Sequence, residues 1–284
     1  MTVGDLTLQI YSEGEGPAVI MVHGFPELAY SWRHQLPALA RAGFHGIAYD
    51  LRGYGASDKP ESVADYSLDH LTADLVGLLD ALELGSAVLV GHDWGSIVVW
   101  TTVVTRPERV DAVVSLNVPY RGWCCGFPNT EFIEKRLAKR FSYVLEFQHS
   151  GRPEGSFAKD PAGWLRRIFR GVAKNPDFMT EEEFAVYRDA FVEGGISGPI
   201  NYYRNIDTNW EATAHLAHRR IEVPTLVMAA DSDPVLPLSL TEGMERWVPE
   251  LRVEIVQDCG HWTQQEQPER VNELLVGFLQ GLGR

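Results

Sequence analysis

Thirteen residues constrain this chain more than any other stretch: Val88-Leu89-Val90-Gly91-His92-Asp93-Trp94-Gly95-Ser96-Ile97-Val98-Val99-Trp100. One apolar run stops at Gly91. A second, long enough for a helix, begins after Gly95. Between them lies Gly-x-Asp-x-Gly, the spacing of an elbow in which a strand turns sharply into a helix and lifts one side chain clear of the sheet. The two glycines let the backbone bend and the strand and helix pack closely. Serine is the usual residue at the centre of such a turn; here it is Asp93.

That exchange changes the chemistry. A serine that attacked a saturated carbon would become an ether, which water does not readily cleave. A carboxylate becomes an ester whose carbonyl belongs to the protein, and water can attack it there. The carboxylate is already ionised near neutral pH, so the first step needs no base. The amides that open the following helix favour its charge. A histidine is then free to activate water for the second step. Asp93 therefore points to hydrolysis at saturated carbon. The bland alternative is an aspartate that only caps the helix starting at Gly95.

Patterning around the elbow indicates the α/β class. Leu6 to Tyr11 alternates like a half-buried strand, and Gly14 to Pro17 is a turn. Ala18 to Val22 is a buried strand that runs directly into His23-Gly24-Phe25-Pro26-Glu27. Trp32 to Arg41 reads as an amphipathic helix, and Phe44 to Tyr49 as a strand ending in Asp50-Leu51-Arg52-Gly53-Tyr54-Gly55. Ser67 or Asp69 can cap a helix to about Leu82. After the elbow a helix runs to Arg106, stopped by Pro107, and Val110 to Leu116 is another strand. Val- and Ile-rich strands alternating with helices indicate a mostly parallel sheet covered on both faces.

The alternation breaks at Pro119. It resumes at Thr225 to Ala230, followed by a helix to Trp247, the strand Arg252 to Val256 and a helix from Pro268 to Gly281. The intervening stretch is aromatic, with helical candidates at Glu131 to Phe147, Ala162 to Val172 and Glu181 to Phe191. It reads as a lid over the strand ends. The expected organisation is a core in two parts, 1–118 and 219–284, interrupted by a helical lid at 119–218. At 284 residues and 45% hydrophobic content, one α/β core is affordable.

A net charge of −14 disfavours nucleic acid or an anionic membrane as partner. No apolar run approaches the ~20 residues of a membrane span, and Met1-Thr2-Val3-Gly4-Asp5 lacks the basic start of a signal peptide. Cys124, Cys125 and Cys259 make no disulfide framework and read as free thiols in a reducing compartment. A cytoplasmic protein acting on a small molecule, as monomer or homodimer, is expected. No metal-ligand cluster is evident, and no cofactor is expected.

In such sheets functional residues lie on loops leaving the carboxyl ends of the strands. In His23-Gly24-Phe25-Pro26, small or fixed-geometry residues let a backbone N–H point inward. The amides of Phe25 and Trp94 are candidates for an oxyanion hole. His23 precedes the nucleophile and reads as structural, as does His92 beside it. In Asp231-Ser232-Asp233-Pro234 either aspartate can orient a histidine. In Asp258-Cys259-Gly260-His261-Trp262, His261 completes the chain order nucleophile, acid, histidine.

These residues carry a resemblance. The chain is identified as a member of the α/β-hydrolase superfamily and is similar, nearly end to end, to the soluble epoxide hydrolases. The match includes His23-Gly24-Phe25-Pro26-Glu27, Ser31-Trp32-Arg33, Asp50 to Gly55, Gly91 to Gly95 and Cys259-Gly260-His261-Trp262-Thr263-Gln264. The resemblance implies the α/β-hydrolase fold with its helical lid inserted after the sixth strand. It also implies an epoxide substrate, for which the aromatics of the stretch 119–218 suggest a mostly apolar pocket. It selects Asp233 over Asp231 as the acid, and it places the family's two lid tyrosines on Tyr143 and Tyr203, where they would hydrogen-bond the ring oxygen; Tyr202 is the obvious wrong neighbour. Glu27 either helps position the hydrolytic water or is a surface or loop-bracing carboxylate. Asn117 stands where some relatives carry an alternative acid, a charge Asn cannot replace.

Two rivals share these residues. A haloalkane dehalogenase would use the same Asp93, with N–H donors for the halide from Trp94 and from a lid tryptophan, Trp123 or Trp164; position 25, often Asn there, is Phe. Fluoroacetate dehalogenases usually carry Arg where Trp94 stands. A small-molecule receptor on this fold would keep the pocket without turnover.

Overall fold

The computed structural model describes residues 1–122 and 128–283. Trp123, Cys124 and Cys125 lie outside the described residues. The strands are β1 (Thr2–Val3), β2 (Leu6–Thr7), β3 (Ile10–Glu13), β4 (Ala18–Val22), β5 (His45–Tyr49), β6 (Ala87–His92), β7 (Val110–Leu116), β8 (Thr225–Ala230) and β9 (Leu251–Val256). The last seven form one sheet in the order β3-β5-β4-β6-β7-β8-β9, parallel except for β3. Central β6 is buried along its whole length, which is why its sequence is continuously apolar up to Gly91.

Three helices surround that centre: α1 (Gln35–Arg41), α2 (Leu68–Ala81) and α3 (Trp94–Thr105). Alternate strand residues serve the two faces. Ile20, Val22, Leu89, Val113 and Val227 share a core with Leu71 and Leu75 of α2 and with Ile97 and Val98 of α3. Val19, Met21, Val88, Val90, Leu226 and Met228 pack with Leu39 of α1 and with Val271, Leu275 and Phe278 near the C-terminus. Helix α3 is buried from Trp94 to Val104, so it is apolar all round. Its buried Thr101 and Thr102 satisfy their hydroxyls on the carbonyls of Ile97 and Val98, 2.8 Å away in each case.

Between β7 and β8 lie α4 (Thr130–Phe132), a π-helical turn (Ile133–Leu137), α5 (Ala138–Phe147), α6 (Arg152–Lys159), α7 (Pro161–Val172), α8 (Glu181–Gly194), α9 (Ser197–Arg204) and α10 (Ile206–Thr213). The chain closes with α11 (Thr263–Glu266) and α12 (Pro268–Gly281). The two ends of the helical stretch are tied together: the Tyr120 hydroxyl donates to the Arg219 carbonyl at 2.8 Å and the His218 amide to the Gly122 carbonyl at 2.8 Å. Phe147, Trp164, Phe169 and Tyr203 from this stretch belong to the same contiguous apolar cluster as α2 and α3.

Several expectations need correction. The helical stretch leaves the sheet after its fifth strand in chain order, not the sixth. The two-residue strands β1 and β2 pair only with each other and add no strand to the sheet. Leu6 to Tyr11 is not one strand: it breaks between Thr7 and Ile10, and β3 then runs antiparallel to β5. The helix expected after β8 is replaced by two 3₁₀ turns, Leu238–Thr241 and Met244–Arg246. Pro237 precedes the first, and Gly243, at φ 80°, separates them. The helix expected from Trp32 begins at Gln35 after a 3₁₀ turn, Ala29–Trp32. Glu131 to Phe147 is helical but is interrupted by the π turn and by a kink at Phe141.

Candidate active site

The turn between β6 and α3 puts Asp93 at φ 49° and ψ −122°, a conformation that costs a non-glycine residue on the order of 1–3 kcal/mol. Neighbouring contacts enforce it. A Cβ on Gly95 would lie 2.0 Å from the Val22 carbonyl oxygen, so only glycine lets α3 start that close to β4. A Cβ on Gly24 would lie 2.4 Å from the Asp93 Cβ. The Asp93 side chain makes no capping bond to α3, which removes the capping alternative. Instead its Oδ1 accepts the Phe25 N–H at 2.9 Å. Trp94 is the first residue of α3, where helix amides point outward from the N-terminus.

The loop after β9 brings His261 to the same place. Its Nε2 stands 3.7 Å from Asp93 Oδ2, and its Nδ1 is 2.8 Å from Asp233 Oδ2. The other Asp233 oxygen accepts the amides of Val235 (2.7 Å) and Leu236 (3.0 Å), which fixes the carboxylate. Burial alone would push the His261 imidazole down. The charge and hydrogen bond of Asp233, joined by the nearby charge of Asp93, outweigh it and lift His261 well above its ordinary value. Burial would likewise raise Asp93. The close His261 charge, the His92 charge and the Phe25 amide hold it below the usual range. For Asp233 too, the His261 charge outweighs burial and lowers the carboxyl.

The alternatives separate by geometry. Asp231 turns away from the ring: its carboxylate accepts the Asp258 amide at 2.9 Å and the Cys259 amide at 3.1 Å. His23 is fully buried, with Nδ1 2.8 Å from the Gly24 carbonyl and Nε2 accepting the Leu51 amide at 3.0 Å, so neither nitrogen faces Asp93. Cys259 is buried, and burial raises its thiol far above the ordinary value.

Tyr143 on α5 and Tyr203 on α9 pack against each other, close enough to Asp93 for its charge to act on both. Their ring centroids are 5.8 Å apart, and Tyr203 lies edge-on to Trp94 at 5.1 Å. Burial, then the Asp93 charge, raises Tyr143; burial, then Tyr143 and Asp93, raises Tyr203. Both hydroxyls therefore stay protonated across the physiological range. Tyr202 points elsewhere, donating to the Arg52 carbonyl at 2.8 Å. Phe25, Phe147 and Trp164 line the adjoining wall, with Phe25 edge-on to Phe147 at 5.6 Å and to Trp164 at 6.2 Å.

A buried polar chain behind the site was only partly legible in the sequence. Glu27 is fully buried, not at the surface. Its Oε2 accepts the Gly24 amide and faces His92 Nδ1 at 2.7 Å; its Oε1 accepts the side-chain amides of Gln264 and Gln265, both at 2.8 Å. His92 Nε2 faces the His261 carbonyl at 2.8 Å. Both ring nitrogens of His92 therefore face acceptor atoms. Burial pushes Glu27 up, but the His92 charge and hydrogen bond outweigh it and keep the carboxyl low. Asn117 also joins in: its Nδ2 donates to the His261 carbonyl at 2.7 Å, and its Oδ1 accepts from Thr263 Oγ1 at 2.8 Å. Glu27, His92 and Asn117 each stand out in the sequence, but nothing there links them to one another.

Comparison with known proteins gives the family. The family model described as alpha/beta hydrolase fold matches residues 17–268. Epoxide hydrolase A of Mycobacterium tuberculosis is 41% identical, with the match covering 97% of this chain and 94% of that protein. The bifunctional epoxide hydrolase 2 of Sus scrofa is 37% identical over 96% of this chain, which spans 53% of that longer protein. The crystal structure of epoxide hydrolase A from Mycobacterium thermoresistibile superposes with a TM-score of 0.91 at 38% identity, covering 99% of this chain and 97% of that one. An epoxide hydrolase from Vigna radiata gives 0.90 at 33% identity, covering 98% and 96%. With Asp93 at its elbow, this chain belongs to the α/β-hydrolase family and, within it, to the group that contains these epoxide hydrolases.

Proposed function

We propose that the protein hydrolyses an apolar epoxide to a vicinal diol through an ester on Asp93. The observation that carries the reading is the packing of Tyr143 against Tyr203 close to the Asp93 carboxylate, with ring centroids 5.8 Å apart and both hydroxyls held protonated. An alkoxide leaving group needs a proton donor, and a buried phenol supplies one. A halide would need only N–H donors. The relatives' names and the wall of Phe25, Phe147 and Trp164 support an apolar epoxide.

In the first step a carboxylate oxygen of Asp93 attacks an epoxide carbon and the ring C–O bond breaks. The ring oxygen takes a proton from the tyrosine pair. Esterification removes the Asp93 charge, and with it part of what lifts His261, so the imidazolium returns a proton to the tyrosines and becomes a base. In the second step neutral His261, oriented by Asp233, takes a proton from water as the hydroxide adds to the Asp93 ester carbonyl. The amides of Phe25 and Trp94 hold the oxyanion. Collapse breaks the ester bond to the diol oxygen, which takes the proton from His261. The new carboxylic acid then protonates His261, restoring the starting pair. The helical stretch 119–218 acts as the lid that carries the tyrosines, between core parts 1–118 and 219–284. The reading needs no cofactor and places the enzyme in the cytoplasm.

A paired assay tests it. Styrene oxide and cyclohexene oxide are followed for diol, and terminal chloro- and bromoalkanes for halide. Diol without halide is expected. Halide without diol would reassign the tyrosines to packing, and binding without either product would favour a receptor.

A further inference from the structure

Glu266, the last residue of α11, is nearly buried, and no cation lies within ion-pair distance among the described residues. Its carboxylate collects four backbone amides instead. Oε1 accepts the Trp262 amide at 3.0 Å, and Oε2 accepts those of Gly260 (3.1 Å), Lys174 (2.8 Å) and Asn175 (3.0 Å). Two of these flank His261. The other two belong to the connection between α7 and α8. The amide of His261 itself donates to the Val172 carbonyl at 3.0 Å, and Trp262 Nε1 donates to the Phe169 carbonyl at 2.8 Å. At Gly260 a Cβ would lie 2.3 Å from the Lys174 nitrogen, so the two segments are in backbone contact.

We infer that Glu266 is a positioning residue that clamps the backbone on both sides of His261 to the loop 172–175, and so sets the reach of Nε2 to the Asp93 ester. Charge-assisted bonds to amides are strong and directional. A ring held on both flanks cannot drift, and at separations of this kind a displacement of about 1 Å costs on the order of a hundredfold in rate. The catalytic consequence rests on the epoxide reading above, in which His261 acts as base only in the second step. Loss of the clamp therefore slows ester hydrolysis and spares alkylation.

The test compares wild type with Glu266→Gln, in which one face of the side chain can no longer accept an N–H. Two readouts are taken. Hydrogen exchange is measured on peptides covering 172–176 and 258–263, which probes the clamp with no substrate present. Single turnover of styrene oxide is followed by intact mass for the Asp93 adduct and by diol formation. The expected result is faster exchange in both segments, alkylation within about twofold of wild type, and hydrolysis slowed at least about tenfold, so that adduct accumulates. Unchanged exchange overturns the clamp. Faster exchange with both half-reactions unchanged, or reduced in proportion, overturns the positioning role. A wild type that forms neither adduct nor diol overturns the epoxide reading and the catalytic role with it, while the exchange result still judges the clamp. If Glu266→Gln fails to fold, Glu266→Asp, which keeps the charge but withdraws it by one methylene, is read against the same criteria.

Discussion

Asp93 and His261 share one proton's worth of chemistry, and its placement changes as the proposed ester forms. With Nε2 3.7 Å from Asp93 Oδ2, the imidazolium and carboxylate stabilise each other at rest. Replacing His261 by Gln should leave alkylation largely intact and stop hydrolysis. Intact mass after mixing with styrene oxide should then show a persistent adduct of one substrate mass, and an adduct that still turns over would exclude His261 as the base. A stability effect follows from the same pair. The folded-state value of His261 is raised above the ordinary value near 6.5, so folded protein binds this proton more tightly than unfolded chain. That contribution is complete below about pH 6.5 and is lost as pH rises through the folded value. Melting temperature should fall over that alkaline window in wild type, and the slope should be absent in the His261→Gln variant.

At the scale of elements, α9 carries Tyr203 and is pinned to the loop after β5. Tyr202 donates to the Arg52 carbonyl and Asn205, just past the end of α9, to the Val63 carbonyl, while Asn209 on the following α10 receives the Leu68 amide at the start of α2 at 2.9 Å. Gly198 meets Gly53 so closely that a Cβ would lie 2.8 Å from the Gly53 Cα. Gly198→Ala should push α9 off this loop, lowering stability by about 1–3 kcal/mol in urea unfolding. Because Tyr203 rides on the same helix, alkylation should slow more than ester hydrolysis. Equal slowing of the two would mean that α9 does not set the tyrosine's position. Helix α5, which carries Tyr143, is kinked at Phe141 and preceded by a π turn.

Across the whole molecule, Arg52 joins parts of the chain that are far apart in sequence. Its guanidinium grips both oxygens of Asp74 on α2 at 2.6 Å and also binds the Asp65 carbonyl, while its own carbonyl receives Tyr202 from α9. Both partners of the ion pair are buried. Arg52→Ala strands a buried carboxylate and should cost about 3–5 kcal/mol in chemical denaturation. A loss below 1 kcal/mol would show that Asp74 finds another partner or simply takes up a proton. No helix among the described residues is long and apolar enough to cross a membrane.

The sequence by itself determined whatever follows from short-range patterning. The buried strands, the elbow glycines and the apolar α3 are local consequences of burial and backbone sterics, and their bounds moved by only a residue or so. Asp93, His261 and the loops that bear them were legible because each ends a recognisable strand. Tertiary structure decided what depends on direction in space. It gave the physical ground for Asp233 over Asp231 and for Tyr203 over Tyr202, choices the family resemblance had made but patterning had not: these are neighbours whose side chains leave the backbone on different sides. It also revealed the Glu27, His92 and Asn117 chain and the four amides around Glu266, because hydrogen bonds of this kind, most of them between residues 65 or more positions apart, leave no periodic mark in the sequence. The helix expected after β8 failed for a related reason: periodicity registers apolar spacing, but Pro237 and Gly243 break the backbone hydrogen-bond ladder that a helix needs.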